Sequence, residues 1–126
     1  MNQTTSLNQI VLTGNLGDDP TVHYSGNTGE PVANFDLAFH SGRDKEGNNR
    51  TGWIRCVCFR KLAEITEKYL HKGARIAVVG TLDENTWTTD DDKKRKTMQV
   101  ICNSIEFIKT DKRGFSEGQS EDDIPF

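Results

Sequence analysis

Short apolar runs alternate along the chain with polar segments rich in glycine, aspartate and asparagine. Within the apolar runs the period is two residues, which is typical of β-strands because successive side chains point to opposite faces. This pattern predicts strands at 8–16, 21–24, 31–39, 53–59, 74–87 and 98–108. A helical pattern lies at 61–72, where apolar residues recur at helical spacing and Gly73 follows.

Two of the long predicted strands contain an internal glycine, Gly14 in the first and Gly80 in the one after the helix. A glycine inside a strand marks a bulge or a sharp bend, as a small barrel needs at its corners. With 21–24 as a short extra segment, five strands carry one helix between the third and the fourth. This order predicts an all-β OB-fold, a five-stranded Greek-key barrel, over residues 1–109.

The most informative strand is 53–59, because its two faces differ. Ile54, Cys56 and Cys58 form an ordinary apolar inner face. The outer face presents Trp53 and Phe59 on either side of an arginine. Unpaired nucleic-acid bases stack on such rings, at about 1–3 kcal/mol per base, and arginine pairs with phosphate. The alternative is that the rings pack under a loop or a neighbouring subunit.

Two polar segments, 41–52 and 88–96, are predicted to be exposed hairpin loops, and the first is predicted to be mobile. Both are rich in basic residues that could contact a phosphate backbone, although each of them could equally be a solvated surface charge. The basic residues considered are Arg43, Lys45 and Arg50 in the first segment and Lys93, Lys94, Arg95 and Lys96 in the second.

The net charge of −3 is unusual for a nucleic-acid-binding protein until it is divided by region. Residues 110–126 hold five acidic and two basic residues, which leaves 14 of each in residues 1–109. The acidity therefore belongs to the C-terminal segment, and the charge of the whole chain neither supports nor excludes nucleic acid as a partner.

Other classes of protein receive little support from the composition. Mean hydropathy is −0.69, and no apolar run approaches the roughly 20 residues of a membrane span. The first residues contain no secretory leader pattern, so a cytoplasmic location is expected. The three cysteines lack zinc-site spacing and are expected to be buried apolar residues. Without a catalytic motif, the sequence predicts neither an enzyme nor a cofactor.

Hydrophobic periodicity stops at Thr110. Residues 110–121 have the composition of a flexible linker, and a short acidic and apolar tip follows. The tip consists of Asp122, Asp123, Ile124, Pro125 and Phe126. A solvated chain end is the simpler interpretation. However, large apolar residues that have no core to join suit insertion into another protein's pocket, with the acids meeting basic residues at its rim.

Taken in order, these segments resemble bacterial single-stranded DNA-binding proteins of the replicative, homotetrameric type. The residues that carry the resemblance are Asn8, Leu12, Gly14-Asn15-Leu16, Asp19-Pro20, Val32-Ala33-Asn34-Phe35, Leu37-Ala38, Trp53, Arg55, Phe59, Lys61-Leu62-Ala63-Glu64, Tyr69-Leu70, Lys72-Gly73, Gly80, Leu82, Trp87 and the tip.

The resemblance implies sequence-independent binding of single-stranded DNA, with Trp53, Phe59 and Trp87 as stacking residues and Arg55 as a phosphate contact. It also implies a nucleoid-associated homotetramer. The acidic tip would recruit replication, recombination and repair enzymes, with Phe126 as its anchor.

This chain departs from the family's pattern at two positions. Where the family often has another aromatic, residues 40–43 contain none, so Arg43 or Phe39 would have to replace it. Ile54 stands where the family usually has a histidine at subunit contacts, so the resemblance does not extend to that contact of the tetramer. Two other functions are considered, an adaptor that acts through its tail and an RNA-binding OB domain.

Overall fold

Six strands and one helix make up the part of the chain that the computed structural model describes, residues 6–110. In chain order they are β1 (Ile10–Leu16), β2 (Thr21–Tyr24), β3 (Pro31–Arg43), β4 (Asn49–Phe59), α1 (Arg60–Tyr69), β5 (Arg75–Thr88) and β6 (Lys94–Lys109). The predicted linker and acidic tip lie outside the described residues, apart from Thr110.

The strands close into a barrel because β1 pairs with two partners. Their hydrogen-bonded order is β1-β5-β6-β4-β3-β2, and β1 pairs with β3 as well as with β5. Five strands therefore form the barrel, while β2 extends it at the edge of β3. The pairing of β4 with β6 is parallel and the other pairings are antiparallel. With α1 between the third and fourth barrel strands, the predicted OB-fold is confirmed.

The two internal glycines lie where the barrel turns its corners. Gly14 is paired both with Phe39 of β3 and with Ile76 of β5, so β1 changes partner there. A Cβ on Gly14 would overlap the carbonyl oxygen of Ala38. Gly80 lies at a register shift against β6, and a Cβ there would overlap the carbonyl oxygen of Ile101. Both glycines allow two backbones to approach closely.

The core fills the barrel and continues under the helix. Its largest fully buried side chains include Leu37, Leu70, Ile76, Val78, Val100 and Ile105. The helix contributes Ala63, which has no exposed surface. Tyr69 at its end packs against Phe107, with 5.8 Å between ring centroids. Burial of these apolar surfaces is the main favourable contribution to folding.

The hairpins differ from the prediction in extent. Strands β3 and β4 continue to a five-residue turn, in which the Asp44 carboxylate accepts hydrogen bonds from the amides of Glu46 and Asn48. The predicted loop at 41–52 was therefore too long. Likewise, the amide of Thr89 donates to the carbonyl of Lys93 in a tight turn, so residues 94–96 belong to a strand. The β3–β4 hairpin and the β5–β6 hairpin thus form two long arms. Backbone pairing extends both arms into segments where exposed side chains give no apolar pattern.

The helix is shorter than the sequence predicts. It ends at Tyr69, where the amide of Leu70 donates to the carbonyl of Thr66 and Leu70 itself is extended. Gly73, predicted as the residue just after the helix, has φ +87° in the turn that leads to β5. The predicted end at residue 72 was wrong because Leu70 leaves the helix to enter the core.

The close approach at Gly14 generates a prediction about stability. We expect Gly14→Ala to lower the free energy of unfolding by about 1–3 kcal/mol, because the added methyl group meets backbone that cannot move without distorting two strand pairings. Urea unfolding at one protein concentration measures the change. Gly26→Ala is the control, since a Cβ at Gly26 would have no neighbour within 4 Å. Equal stability of the two variants would contradict the role assigned to Gly14.

Candidate nucleic-acid interface

The outer face of β4 exposes the two rings that the sequence predicts. Trp53 is 60% exposed and Phe59 is 47% exposed. Cys56 and Cys58, which alternate with them, have no exposed surface. The predicted division of this strand into an apolar inner face and an aromatic outer face is therefore confirmed for the isolated chain.

The indole of Trp53 is held by small neighbours. A Cβ on Gly17 would lie only 2.5 Å from the Cζ3 atom of Trp53, so the ring covers that glycine. The residue paired with Trp53 on β3 is Ala38, which is also small. One part of the ring thus rests on backbone, while the rest stays open. A ring positioned in this way loses little side-chain entropy when a ligand stacks on it.

Strand register brings Trp87 to the same face of the sheet. Trp87 is 45% exposed and pairs with Arg95 on β6. Arg95, Thr97 and Gln99 alternate with their neighbours along β6 and therefore share one face. Gln99 lies beside Arg55 in the parallel pairing with β4. Because alternate residues share a face, Trp53, Trp87 and Phe59 all belong to the outer face. The pairing therefore joins residues that are far apart in the sequence.

Between the two hairpin arms lies an open groove of about 360 Å³. The arms diverge because β4 and β6 pair only at residues 55–57 and 99–101. The groove is lined by Asp36, Trp53, Ile54, Arg55, Asn85, Thr97 and Met98. Met98, an exposed apolar residue of this lining, is one that the sequence interpretation missed.

The basic residues are divided between the two faces. We call the outer face that carries Trp53, Phe59 and Trp87 the ring face. By strand register it also carries three arginines: Arg55 on β4, Arg43, which pairs with Asn49, and Arg95, which pairs with Trp87. Residues of opposite parity, Arg50, Lys94 and Lys96, lie on the other face. Lys45 and Lys93 lie in the turns at the tips of the arms. The structure thus groups three of the proposed phosphate contacts with the rings.

The turn at the tip of the second arm is organised by its own polar residues. The Thr89 hydroxyl donates a hydrogen bond to the Asp91 carboxylate, and this bond lowers the pKa of Asp91. The same carboxylate lies 4.0 Å from the ammonium group of Lys93. Since Lys93 and Asp91 are both more than half exposed, the ion pair is weak and leaves Lys93 accessible.

Acidic residues on the ring face are the main feature that the sequence interpretation missed. The Asp36 carboxylate lies 3.6 Å from Nε of Arg55, with both side chains more than half exposed. The Asp83 carboxylate accepts a hydrogen bond of 2.9 Å from the side-chain amide of Gln99. The alternation of β3 places Asp36 outward, but only the strand pairing shows that it faces Arg55. Arg55 therefore has a carboxylate partner when no ligand is bound, and its contact with phosphate stays a prediction.

The structure separates the two candidates for the missing aromatic. Phe39 pairs with Gly52, and its ring covers that glycine on the face opposite Trp53. Arg43 lies on the ring face at the end of the first arm. The position of Ile54 is also clear within the chain, since it is half-buried against the core. Of the two candidates, Arg43 is the one placed with the rings.

The three cysteines are buried free thiols, as predicted. A hydrogen bond with Cys102 and burial raise the pKa of the Cys58 thiol far above its ordinary value. Contact with Cys56 and burial raise the pKa of Cys102 in the same way. Within residues 6–110 no three His, Cys, Asp or Glu side chains form a group able to hold a metal ion. Over the same range, no helix has the length and apolarity needed to cross a membrane.

A closed five-stranded barrel of this topology with one helix between its third and fourth strands defines an OB-fold. The family model of the single-strand binding protein family matches residues 7–108. This match covers most of the chain, and the chain therefore belongs to the single-strand binding protein family.

Two similar proteins agree with this assignment. A single-stranded DNA-binding protein of Xanthomonas campestris pv. campestris is 37% identical over 105 residues, which are 81% of this chain and 60% of that protein. The chain thus spans less than two thirds of that relative's length. A solved structure of Plasmodium falciparum SSB in complex with ssDNA superimposes with a TM-score of 0.76 at 31% identity. It covers 86% of this chain and all of the Plasmodium chain.

The exposure of the rings generates a prediction about the free protein. We expect Trp53 and Trp87, the two tryptophans of the chain, to emit near the wavelength of urea-unfolded protein, because both indoles are about half exposed. Iodide should quench this emission. Short-wavelength emission that iodide does not quench would instead mean that a loop or another subunit covers the rings.

Proposed function

We propose that this chain binds single-stranded DNA without sequence preference and without catalysing a reaction. The observation that carries the proposal is the grouping of Trp53, Phe59 and Trp87 on one face of an OB-fold barrel. Membership of the single-strand binding protein family and the likeness to a structure titled as an ssDNA complex support it.

The proposed mechanism combines stacking with phosphate contacts. Each base presents an apolar π-face whatever its identity, so stacking on the three rings does not distinguish sequences. Arg43, Arg55 and Arg95 lie on the same face, where their guanidinium groups can pair with the phosphates between stacked bases. At Arg55 a phosphate has to compete with Asp36, which moderates affinity.

In the cell, such binding would coat and protect single strands during replication, recombination and repair. We place this function in the cytoplasm, in association with the nucleoid. The resemblance in the sequence supports these assignments. Stacking does not require hydrogen bonds to the edges of particular bases, which suits a protein that binds any exposed single strand.

We also propose that the chain acts as a homotetramer. Among the described residues, positions 10–13 of β1 pair with β5 on one side and leave the other side open. Val11 within this segment is 63% exposed. An open strand edge with an apolar side chain favours pairing with another copy. Sedimentation equilibrium would test this, with an expected mass of four chains of 14.2 kDa.

Alanine variants of the rings test the proposed stacking. We expect Trp53→Ala and Trp87→Ala each to weaken binding of labelled oligo(dT) by about 5- to 150-fold, because each removes a stacking interaction of about 1–3 kcal/mol. Fluorescence anisotropy measures the affinities. For wild type, the logarithm of the binding constant should fall linearly with the logarithm of salt concentration, by about 0.7 per phosphate contacted.

Tyr24→Ala is the matched control for these variants. Tyr24 is an exposed aromatic residue, but its hydroxyl donates to Glu67 of the helix at 3.2 Å, away from the ring face. Affinity unchanged in all three variants would exclude the aromatic face as the binding surface. Failure of wild type to bind at all would favour the adaptor function. Equal competition by oligo(U) would identify a protein that does not distinguish RNA from DNA.

The acidic tip, outside the described residues, is proposed to recruit partner enzymes. We expect a chain ending at residue 121 to bind oligo(dT) but to lose binding of purified replication, recombination and repair enzymes, because the apolar anchor and its flanking acids are absent. Surface plasmon resonance with the full chain as reference measures both. Phe126→Ala is the single-residue comparison. Enzyme binding that survives in both variants would contradict this assignment.

A further inference from the structure

Beyond Phe59, the outer face of the barrel continues into a second open groove, of about 490 Å³. Residues of the β2–β3 hairpin form one side of it and the end of β4 forms the other. Its lining includes Ser25, Thr28, Glu30, Val32, Phe59 and Arg60. The groove thus lies beside a ring of the proposed stacking face and has one cationic and one anionic side chain.

The backbone at Arg60 is in an unusual conformation. Its φ is +56°, in the left-handed region that favours glycine. Within residues 6–110 the other non-glycine residue with positive φ is Asp92, and aspartate in a turn tolerates this conformation. An arginine does not have that advantage. Such a strained residue is expected to have a role that compensates for the cost.

The visible partner of Arg60 does not supply that role. Its Nε lies 3.2 Å from a carboxylate oxygen of Glu30, but the two side chains are 78% and 50% exposed. Solvent and salt screen an ion pair of this exposure strongly, so it contributes little to stability. Arg60, which lines the same groove as Phe59, is therefore held by a weak, exchangeable contact.

We propose that Arg60 binds a phosphate of single-stranded DNA next to the nucleotide stacked on Phe59. In the free protein the carboxylate of Glu30 pairs with the Arg60 guanidinium group, and the phosphate replaces this carboxylate when DNA binds. A phosphate presents the same kind of charge-assisted acceptor as the carboxylate. The proposal rests on the proposed DNA-binding function and extends the stacking face by one phosphate site in the groove between β4 and the β2–β3 hairpin.

Two substitutions that break the same ion pair distinguish this role from a structural one. Arg60→Asn removes the cation and keeps a residue that tolerates positive φ. Glu30→Gln removes the competing carboxylate and keeps its shape. The proposal requires opposite effects on DNA affinity, whereas a purely structural ion pair requires the same effect from both.

The experiment is an anisotropy titration of the full chain with labelled oligo(dT) of about eight nucleotides, within the site size of one OB-fold. For Arg60→Asn we expect affinity to fall about three- to tenfold at low salt, as for the net loss of one typical hydrogen bond, and the salt slope to shrink by about 0.7. For Glu30→Gln we expect tighter binding. The unfolding midpoint should not fall in Arg60→Asn.

Lys68→Gln and Glu106→Gln are controls of equal charge change. Lys68 lies over the Tyr69 ring on the helix, and Glu106 lies near the end of β6. If wild type binds and Arg60→Asn matches it in affinity and salt slope, the Arg60 proposal is overturned while the DNA-binding function stands. A parallel loss in Glu30→Gln would also overturn it. If wild type does not bind, both proposals fail.

Discussion

The parallel pairing of β4 with β6 is the constraint on which both the core and the candidate interface depend. On the inner side it places Cys56 beside Val100, and both are fully buried. On the outer side it places Arg55 beside Gln99 and thereby puts the rings of both hairpins on one face. Because side chains alternate along each strand, a single register determines both arrangements. A slip of one residue would exchange the core side chains for the rings.

The candidate interface also depends on the short length of this pairing. Beyond residues 55–57 the two strands separate, and each continues as an arm paired with its own hairpin partner. The open groove between the arms exists because these polar extensions have no core to fill. Their backbone hydrogen bonds keep them extended although their side chains are exposed. The proposed binding surface therefore lies where core packing no longer determines which residues are present.

The electrostatics of the outer face are balanced rather than strongly basic. Two arginines of this face contact carboxylates, Asp36 in one case and Glu30 in the other. A surface of this kind would release bound DNA more readily than one with unpaired cations, since each carboxylate competes with phosphate. The zero net charge of residues 1–109 therefore does not conflict with membership of the single-strand binding protein family. Local geometry matters more than total charge for this chain.

Several features were predictable from local patterns because their physical causes are local. Alternation in 53–59 separated the rings from the buried cysteines, and Gly14 and Gly80 marked the barrel corners. The extent of the hairpin arms was not predictable, since pairing between two exposed polar strands leaves no hydrophobic period. The end of the helix was missed because burial of Leu70 in the core overrides helical propensity.

By itself, the sequence determined which residues alternate, which rings would be exposed, where the strands bend and which family the chain resembles. The tertiary structure alone decided which strands are neighbours and in what register. It therefore decided that Asp36 meets Arg55, that Phe39 turns away from Trp53, and that Arg60 meets Glu30. The physical reason is that side-chain alternation arises within one strand, whereas register depends on contacts between residues far apart in the chain.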